Sequence, residues 1–254
     1  MVSIVEVDHV SKFFTDRTGR ITTALDDVSL GIQKGEIVSI VGQTGSGKTT
    51  FGRITVGLSQ PSKGMVRFEG EDIASYKQLK ELWKKAQMIH QDPYSSLDQY
   101  LTVREVLDRP LRYLLEIRDA KEREETIAET LRMSGLPENS MDKRISELSG
   151  GERQRISVSR AFIINPLYVV ADEPTTMVDA VHRNEILNQI INFKNAKNAS
   201  ILIITHDISI AIELSNRIAI IHNGKILEVS DVESIKRSSN EYTQSLFKAI
   251  QYTV

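Results

Sequence analysis

Cysteine is absent from the chain, so disulfides, thiolate metal sites and cysteine nucleophiles are excluded. An excess of one charge is missing too: 32 basic and 34 acidic residues leave a formal charge of -2. Nucleic-acid binding calls for a basic face, and this balance makes no electrostatic case for one. Long apolar runs are lacking. A membrane span needs roughly 18 apolar residues, whereas stretches such as Ile201 to Ile204 and Ile218 to Ile221 are strand-sized. Residues Met1 to Glu6 carry neither the basic nor the apolar region of a signal peptide. The expectation is a cytoplasmic protein whose membrane role, if any, comes through a partner.

What is present suffices for a core. The 254 residues, 40% of them apolar, suit one large domain or one core with a smaller insert. Residues 4–10 and 21–32 read as strands joined by a polar turn near Asp16 to Arg20. Glu36 to Val41 reads as a buried strand, Lys48 to about Leu58 as a helix, and Met65 to Phe68 as another strand. A helix is expected near 76–84 and a strand at Ala86 to His90. Between 102 and 135, helical spacing puts Leu107, Leu111, Leu114 and Leu115 on one face, and Ile127 with Leu131 on another. Strand and helix then alternate: Leu167 to Ala171, 180–194, Ser200 to Thr205 and 208–215. A hairpin follows around Asn223-Gly224, and a short helical tail after about 232. The pattern predicts an α/β fold with a largely parallel, mixed sheet, an antiparallel β edge and a helical insert over 93–150. The core then spans 1–92 and 151–231, with a tail at 232–254.

Gly42, Gln43, Thr44, Gly45, Ser46, Gly47, Lys48 and Thr49 spell a complete phosphate-loop pattern between a strand and a helix. Glycines let backbone N–H groups turn inward around phosphate oxygens, and the helix start favours an anion. Lys48 is placed to reach the β- and γ-phosphates and the Thr49 hydroxyl to coordinate Mg²⁺. Thr50 continues the same helix start and is counted with the loop. This segment by itself predicts nucleotide phosphate binding; it does not separate GTPases, kinases, helicases and transport ATPases.

Leu167 to Ala171 is an apolar strand ending in Asp172 and Glu173. Adjacent carboxylates repel unless a cation or a proton-transfer task rewards them. Asp172 suits a metal ligand, and Glu173 a base for an attacking water. Asp179 comes within range of a shared active-site edge, although taken by itself such a residue is more often a solvated or helix-capping acid. Leu148-Ser149-Gly150-Gly151-Glu152 is a small-residue turn at a helix start, able to bind phosphate oxygens or merely to cap its helix. One phosphate loop already exists in the chain, so a second anion-binding turn points to a second molecule, each turn covering the other's nucleotide.

With these segments in order, the chain resembles the nucleotide-binding subunits of ATP-binding-cassette transporters, whose signature loop LSGGQ reads LSGGE at Leu148 to Glu152. The resemblance covers about residues 4–230. It implies ATP and Mg²⁺ as ligands, Lys48, Glu173, His206 and Gln91 in catalysis, and Thr49, Gln91 and Asp172 at the metal. It implies Phe14 against adenine, with Phe13 as the other candidate, and Ser149, Gly150, Gly151, Glu152 and Asp179 around nucleotide at a dimer seam. Read singly, His206 and Gln91 would be surface residues and Phe14 a core residue. The segment Thr176-Met177-Val178-Asp179 departs from the family's usual SALD. Implied partners are a second ATPase subunit, the same or different, and transmembrane permeases that hold the protein on the cytoplasmic side of the membrane.

Gln91 to Asp98 and Glu241 to Leu246 further resemble the subgroup serving oligopeptide, dipeptide and nickel importers, some of whose members serve sugar oligomers. That subgroup often carries carboxy-terminal cysteines, absent here. Export, a soluble role in translation or DNA repair, and a purely regulatory nucleotide-binding module are the rivals. The second would need tandem cassettes or a long coiled-coil insert, and the third the loss of Lys48 or Glu173.

Overall fold

The computed structural model describes residues 3–75 and 79–251, without the side chains of Ala180, Val181 and residues 249–251. Two compact units emerge, one of Met1–Lys77 with Ser200–Val254 and one of Gln78–Ala199. The first opens with β1 (Ser3–Thr15), β2 (Ile21–Gln33), β3 (Ile37–Val41), α1 (Lys48–Thr55), β4 (Lys63–Phe68) and β5 (Glu71–Asp72). The second holds α2 (Leu79–Lys85), β6 (Ala86–Ile89), α3 (Pro93–Ser96), α4 (Val103–Tyr113), α5 (Ala120–Met133), α6 (Gly150–Phe162), β7 (Tyr168–Asp172) and α7 (Ala180–Lys197). The first unit closes with β8 (Ser200–Thr205), α8 (Ile208–Leu214), β9 (Arg217–His222), β10 (Lys225–Asp231), α9 (Val232–Ile235) and α10 (Glu241–Gln251).

In the first unit an antiparallel sheet runs β2-β1-β4-β5. Beside β1, strand β2 keeps alternating burial, as a half-covered sheet should. A mixed sheet places β3 parallel to both β8 and β9, with β10 antiparallel to β9. Every residue of β3 and β8 is buried. That explains their unbroken apolar reading: both faces are covered, and each fully buried Val or Ile contributes about 1.5–3 kcal/mol. On one face Val41, Ile208, Ala211, Ile218, Ile220 and Ile235 form a cluster joined by Tyr242, Leu246 and Phe247 of α10.

In the second unit β6 pairs parallel with β7. The helical residues close on their own core, where Leu107, Leu111, Ile127 and Leu131 are buried with Leu148, Ile156 and Ile163. The two apolar faces anticipated from spacing therefore meet in one cluster. A capping box of Thr102 and Glu105 starts α4. Arg160 of α6 donates to the Ser96 carbonyl at 2.6 Å, and burial lowers its pKa from the usual guanidinium value.

Some boundaries shift for local reasons. Helix α1 stops at Thr55, two residues before Gly57 adopts φ 72°, a conformation that ends helices and suits glycine. Residues 76–78 of the helix expected at 76–84 lie outside the described residues, and α2 begins at Leu79. Among the described residues no helix is long and apolar enough to cross a membrane.

Candidate nucleotide site

The phosphate loop leaves β3 at Gly42 and enters α1 at Lys48. Its glycines are demanded by the chain itself. A Cβ on Gly42 would lie 2.2 Å from the Ile221 carbonyl oxygen, and one on Gly47 2.4 Å from that of Ala24. Gly47 also holds φ 106°, outside the range of L side chains. It caps α1 without a side-chain acceptor, so N–H groups at the start of α1 keep the partial positive charge of a helix end.

Lys48 is buried and folds back over the loop, donating from Nζ to the Gly42 carbonyl at 2.7 Å and the Gln43 carbonyl at 3.0 Å. Ser46 Oγ is buried with no hydrogen-bond partner among the described residues. A cradle of inward-turning loop, a buried ammonium and an orphaned hydroxyl fits a group rich in anionic acceptors, as a nucleotide phosphate is. Thr49 and Thr50 are half-buried, while Gln43, Thr44 and Gly45 are exposed. Farther along the first unit, Phe14 is 48% exposed near the end of β1, with Lys12 Nζ 5.1 Å from its ring centroid. Phe13, the other candidate for the adenine contact, is half-buried and lies under Lys63 Nζ at 5.8 Å. His206 is exposed, between the end of β8 and Asp207, which caps α8 by accepting from the Ser209 N–H at 2.9 Å.

The second unit gathers the other group. Asp172, ending β7, and Glu173 are both buried. Glu173 sits at φ 46°, a left-handed conformation unusual for a side-chain-bearing residue and costing about 1 kcal/mol or more. The Thr176 hydroxyl donates to its Oε2 at 3.0 Å. Gln91 is exposed just past β6, and Asp92 beside it caps α3. Asp179 caps the start of α7, accepting from the His182 N–H at 3.1 Å and lying 2.8 Å from His182 Nδ1. Its capping reading is therefore realised.

At the start of α6, Ser149 caps its own helix, with the Glu152 N–H donating to Ser149 Oγ at 3.2 Å. Its side chain is thus already engaged within the chain. Gly150 and Gly151 behave unlike the phosphate-loop glycines. A Cβ on Gly150 would meet Tyr94 Oη at 3.6 Å, and one on Gly151 the His182 ring at 3.6 Å, both ordinary contacts. Neither is among the described residues with a positive φ.

The sequence matches the ABC transporter family over residues 25–176. The chain belongs to that family. Relatives named oligopeptide transport ATP-binding protein OppF, from Streptococcus mutans and Bacillus subtilis, share 35% and 34% identity with it. The alignments cover 97% of this chain in both cases, and 81% and 82% of the relatives. A dipeptide transport ATP-binding protein, DppF of Lactococcus lactis, is 35% identical over 97% of this chain and 81% of that protein. The ATP-binding cassette MJ0796, solved as a dimer in a post-hydrolysis state bound to ADP and Pi, superimposes with a TM-score of 0.81. It shares 29% identity, over 90% of this chain and 98% of that one.

This ABC chain is thus an ATP-binding ATPase of the cassette fold. Two residues of this ABC cassette escaped sequence reasoning. Gln154, almost wholly buried in α6, donates from Nε2 to the Pro174 carbonyl at 2.8 Å, tying the signature helix to the residue after Glu173. Its signal was a polar side chain on a helix face otherwise lined by Val158 and Ala161. Tyr242 reaches the phosphate loop from α10, its hydroxyl accepting from the Gln43 N–H at 3.2 Å. Sequence marked its segment as a family likeness without a physical task.

Proposed function

We propose that this ATPase powers import of oligopeptides or dipeptides through a membrane ABC transporter. It works on the cytoplasmic side as one of two nucleotide-binding subunits docked on permeases. The observation that carries the engine role is the phosphate loop, where the folded-back Lys48 ammonium and the buried Ser46 hydroxyl suit phosphate acceptors. The peptide cargo rests on the names of relatives at 34% to 38% identity and on the segments Gln91 to Asp98 and Glu241 to Leu246.

Each unit contributes its own roles. Lys48, the amides from Gly42 to Gly47, Thr49 and Thr50 hold phosphates; Phe14 stacks on adenine and His206 addresses the γ-phosphate. Glu173 takes the proton of the attacking water, its carboxylate oriented by Thr176. Thr49, Gln91 and Asp172 would hold Mg²⁺, which would supply positive charge against the nucleotide's phosphates. Among the described residues no three His, Asp or Glu side chains gather as a metal cage; a metal that keeps phosphate and water ligands needs none.

Ser149, Gly150, Gly151 and Glu152, with Asp179, address the nucleotide of the second subunit. Support comes from the glycines: internal packing leaves ordinary room for a Cβ at Gly150 and Gly151, so the demand for glycine falls to something arriving from outside the chain. Residues 93–150 form the helical subdomain that docks the permease, on a core of 1–92 and 151–231, with 232–254 as the tail. Tyr94 and Tyr100 are exposed and offer apolar surface for that docking, whereas Leu97 between them is buried.

The test is reconstitution with its permease partners in vesicles, offering labelled oligopeptide, oligosaccharide or nickel. ATP-dependent peptide accumulation that is lost in Lys48→Ala is expected. Accumulation of sugar or nickel alone, or outward transport, would overturn the cargo reading. Peptide accumulation undiminished in Lys48→Ala would overturn the engine role.

A further inference from the structure

The segment Glu241 to Leu246 has no task in the ATPase reading, yet the side chains of Tyr242, Thr243, Gln244 and Ser245 all make hydrogen bonds. Asn240 accepts the N–H groups of Tyr242 and Thr243 at 3.0 and 3.2 Å, starting α10. Thr243, fully buried, donates to Glu228 Oε2 at 3.2 Å, and Gln244 Nε2 donates to the Ser238 carbonyl at 3.2 Å. The Thr243 bond ties the helix to β10, and the others fix its first turn. Tyr242 packs on His222, ring centroids 4.1 Å apart, with its hydroxyl on the Gln43 N–H.

Gln43 is a junction within the loop. Its carbonyl accepts the Ser46 N–H at 3.2 Å and the Lys48 ammonium at 3.0 Å. Tyr242 therefore grips the N–H side of a residue whose carbonyl side receives Lys48. The far end of the loop is gripped separately, by the Gly224 N–H donating to the Ser46 carbonyl at 3.0 Å. Without the first grip the Gln43 backbone is freer to turn, and the Lys48 ammonium and loop amides lose alignment.

We propose that Tyr242 is a positioning residue for nucleotide binding, through which the carboxy-terminal helix α10 sets the affinity of the phosphate loop. The inference rests on the phosphate-loop reading under Proposed function. The loop is preorganised by this hydroxyl, and a preorganised loop spends less binding energy on ordering itself. The ring's apolar packing is a separate matter, which Tyr242→Phe preserves.

The experiment compares the full-length parent, Tyr242→Phe and Thr243→Val. Readouts are kcat and KM for ATP, dissociation of a fluorescent ATP analogue, Tm, and exchange of the Gln43 amide without nucleotide. Loss of one hydrogen bond should raise KM and the dissociation constant of Tyr242→Phe about 3-fold to 10-fold. Its kcat at saturating ATP should be retained, and its Gln43 amide should exchange faster. Thr243→Val loosens the anchor and keeps the phenol, so it should lower Tm more and raise KM less. A Tyr242→Phe protein with parental KM and parental Gln43 exchange would overturn the proposal. So would a fall in Tm and kcat at unchanged KM, the signature of a merely structural hydroxyl. Lys48→Ala separates the two readings. If it binds the analogue as the parent does, the phosphate-loop reading falls and takes this one with it. If it loses binding while Tyr242→Phe matches the parent, only this inference falls.

Discussion

Ser149 and Glu152 exchange hydrogen bonds across the first turn of α6: the Glu152 N–H donates to Ser149 Oγ at 3.2 Å and the Ser149 N–H to Glu152 Oε2 at 2.8 Å. The position where the family usually carries glutamine thus serves as the acidic half of a capping box. The Ser149 backbone N–H, foremost, lowers the Glu152 pKa from its ordinary value of 4.5.

That shift has a sign. A carboxyl whose folded pKa is depressed adds stability above its unfolded pKa, and loses it as pH falls through the lower folded value. Glu152→Gln keeps an acceptor but not the charge. At neutral pH the parent should therefore be more stable, by well under about 1 kcal/mol once solvent screening is counted. The difference should shrink as pH drops below about 4.5. Denaturant titrations of both proteins at several pH values check this; a gap that widens in acid would refute it.

The two glycine-rich turns should respond oppositely to one methyl group. Gly47→Ala must adopt φ 106° and push against the Ala24 carbonyl, so a loss of at least about 1 kcal/mol in folding stability is expected. Gly151→Ala meets ordinary contacts inside a helix and should hold or raise Tm, since alanine is the better helix former by about 1 kcal/mol. Its ATPase activity should nonetheless fall, because the methyl group obstructs the incoming nucleotide. Thermal melts beside phosphate release decide it. Full activity in Gly151→Ala would remove the case for a nucleotide at that turn.

Phe14 is exposed enough to lose without harm to the fold. Base stacking on an aromatic ring contributes about 1–3 kcal/mol. Phe14→Ala should raise KM for ATP about tenfold, with Tm nearly unchanged, and Phe14→Trp should restore it. Phe13→Ala should affect KM far less. Equal effects of the two alanine substitutions would mean that Phe14 has no special contact with the base.

Glu173→Gln should abolish turnover, by about 10²–10⁴-fold, while keeping nucleotide binding and stabilising an ATP-bound dimer. Glutamine preserves shape and can still accept from Thr176, but cannot take a proton from water. It also removes a negative charge from the nucleotide's surroundings, which eases closure. Ser149→Arg added to it should abolish the dimer, as a bulky cation would fill the turn proposed to face the partner's phosphate. Light scattering with ATP and Mg²⁺, beside phosphate release, reads both. Near-parental hydrolysis would show that Glu173 is not the base; an inactive, ATP-loaded monomer would transfer association to the permeases.

The local grammar of the chain was legible without coordinates. The run of β3 is apolar because both its faces are covered, and the spacing of Leu107 and Leu111 is helical because one stripe must face a core. The phosphate loop was readable because its chemistry is contiguous: eight consecutive residues, Gly42 to Thr49, supply glycine turns, amine and hydroxyl together. Folding settled what depends on distant partners. Only there does Gly42 meet the Ile221 carbonyl, Gln154 reach Pro174 and the Tyr242 hydroxyl find the Gln43 N–H, 199 residues away in sequence. Periodicity records which face of an element is buried. The identity of the neighbour that buries it is a contact between segments, decided when the sheets and helices pack.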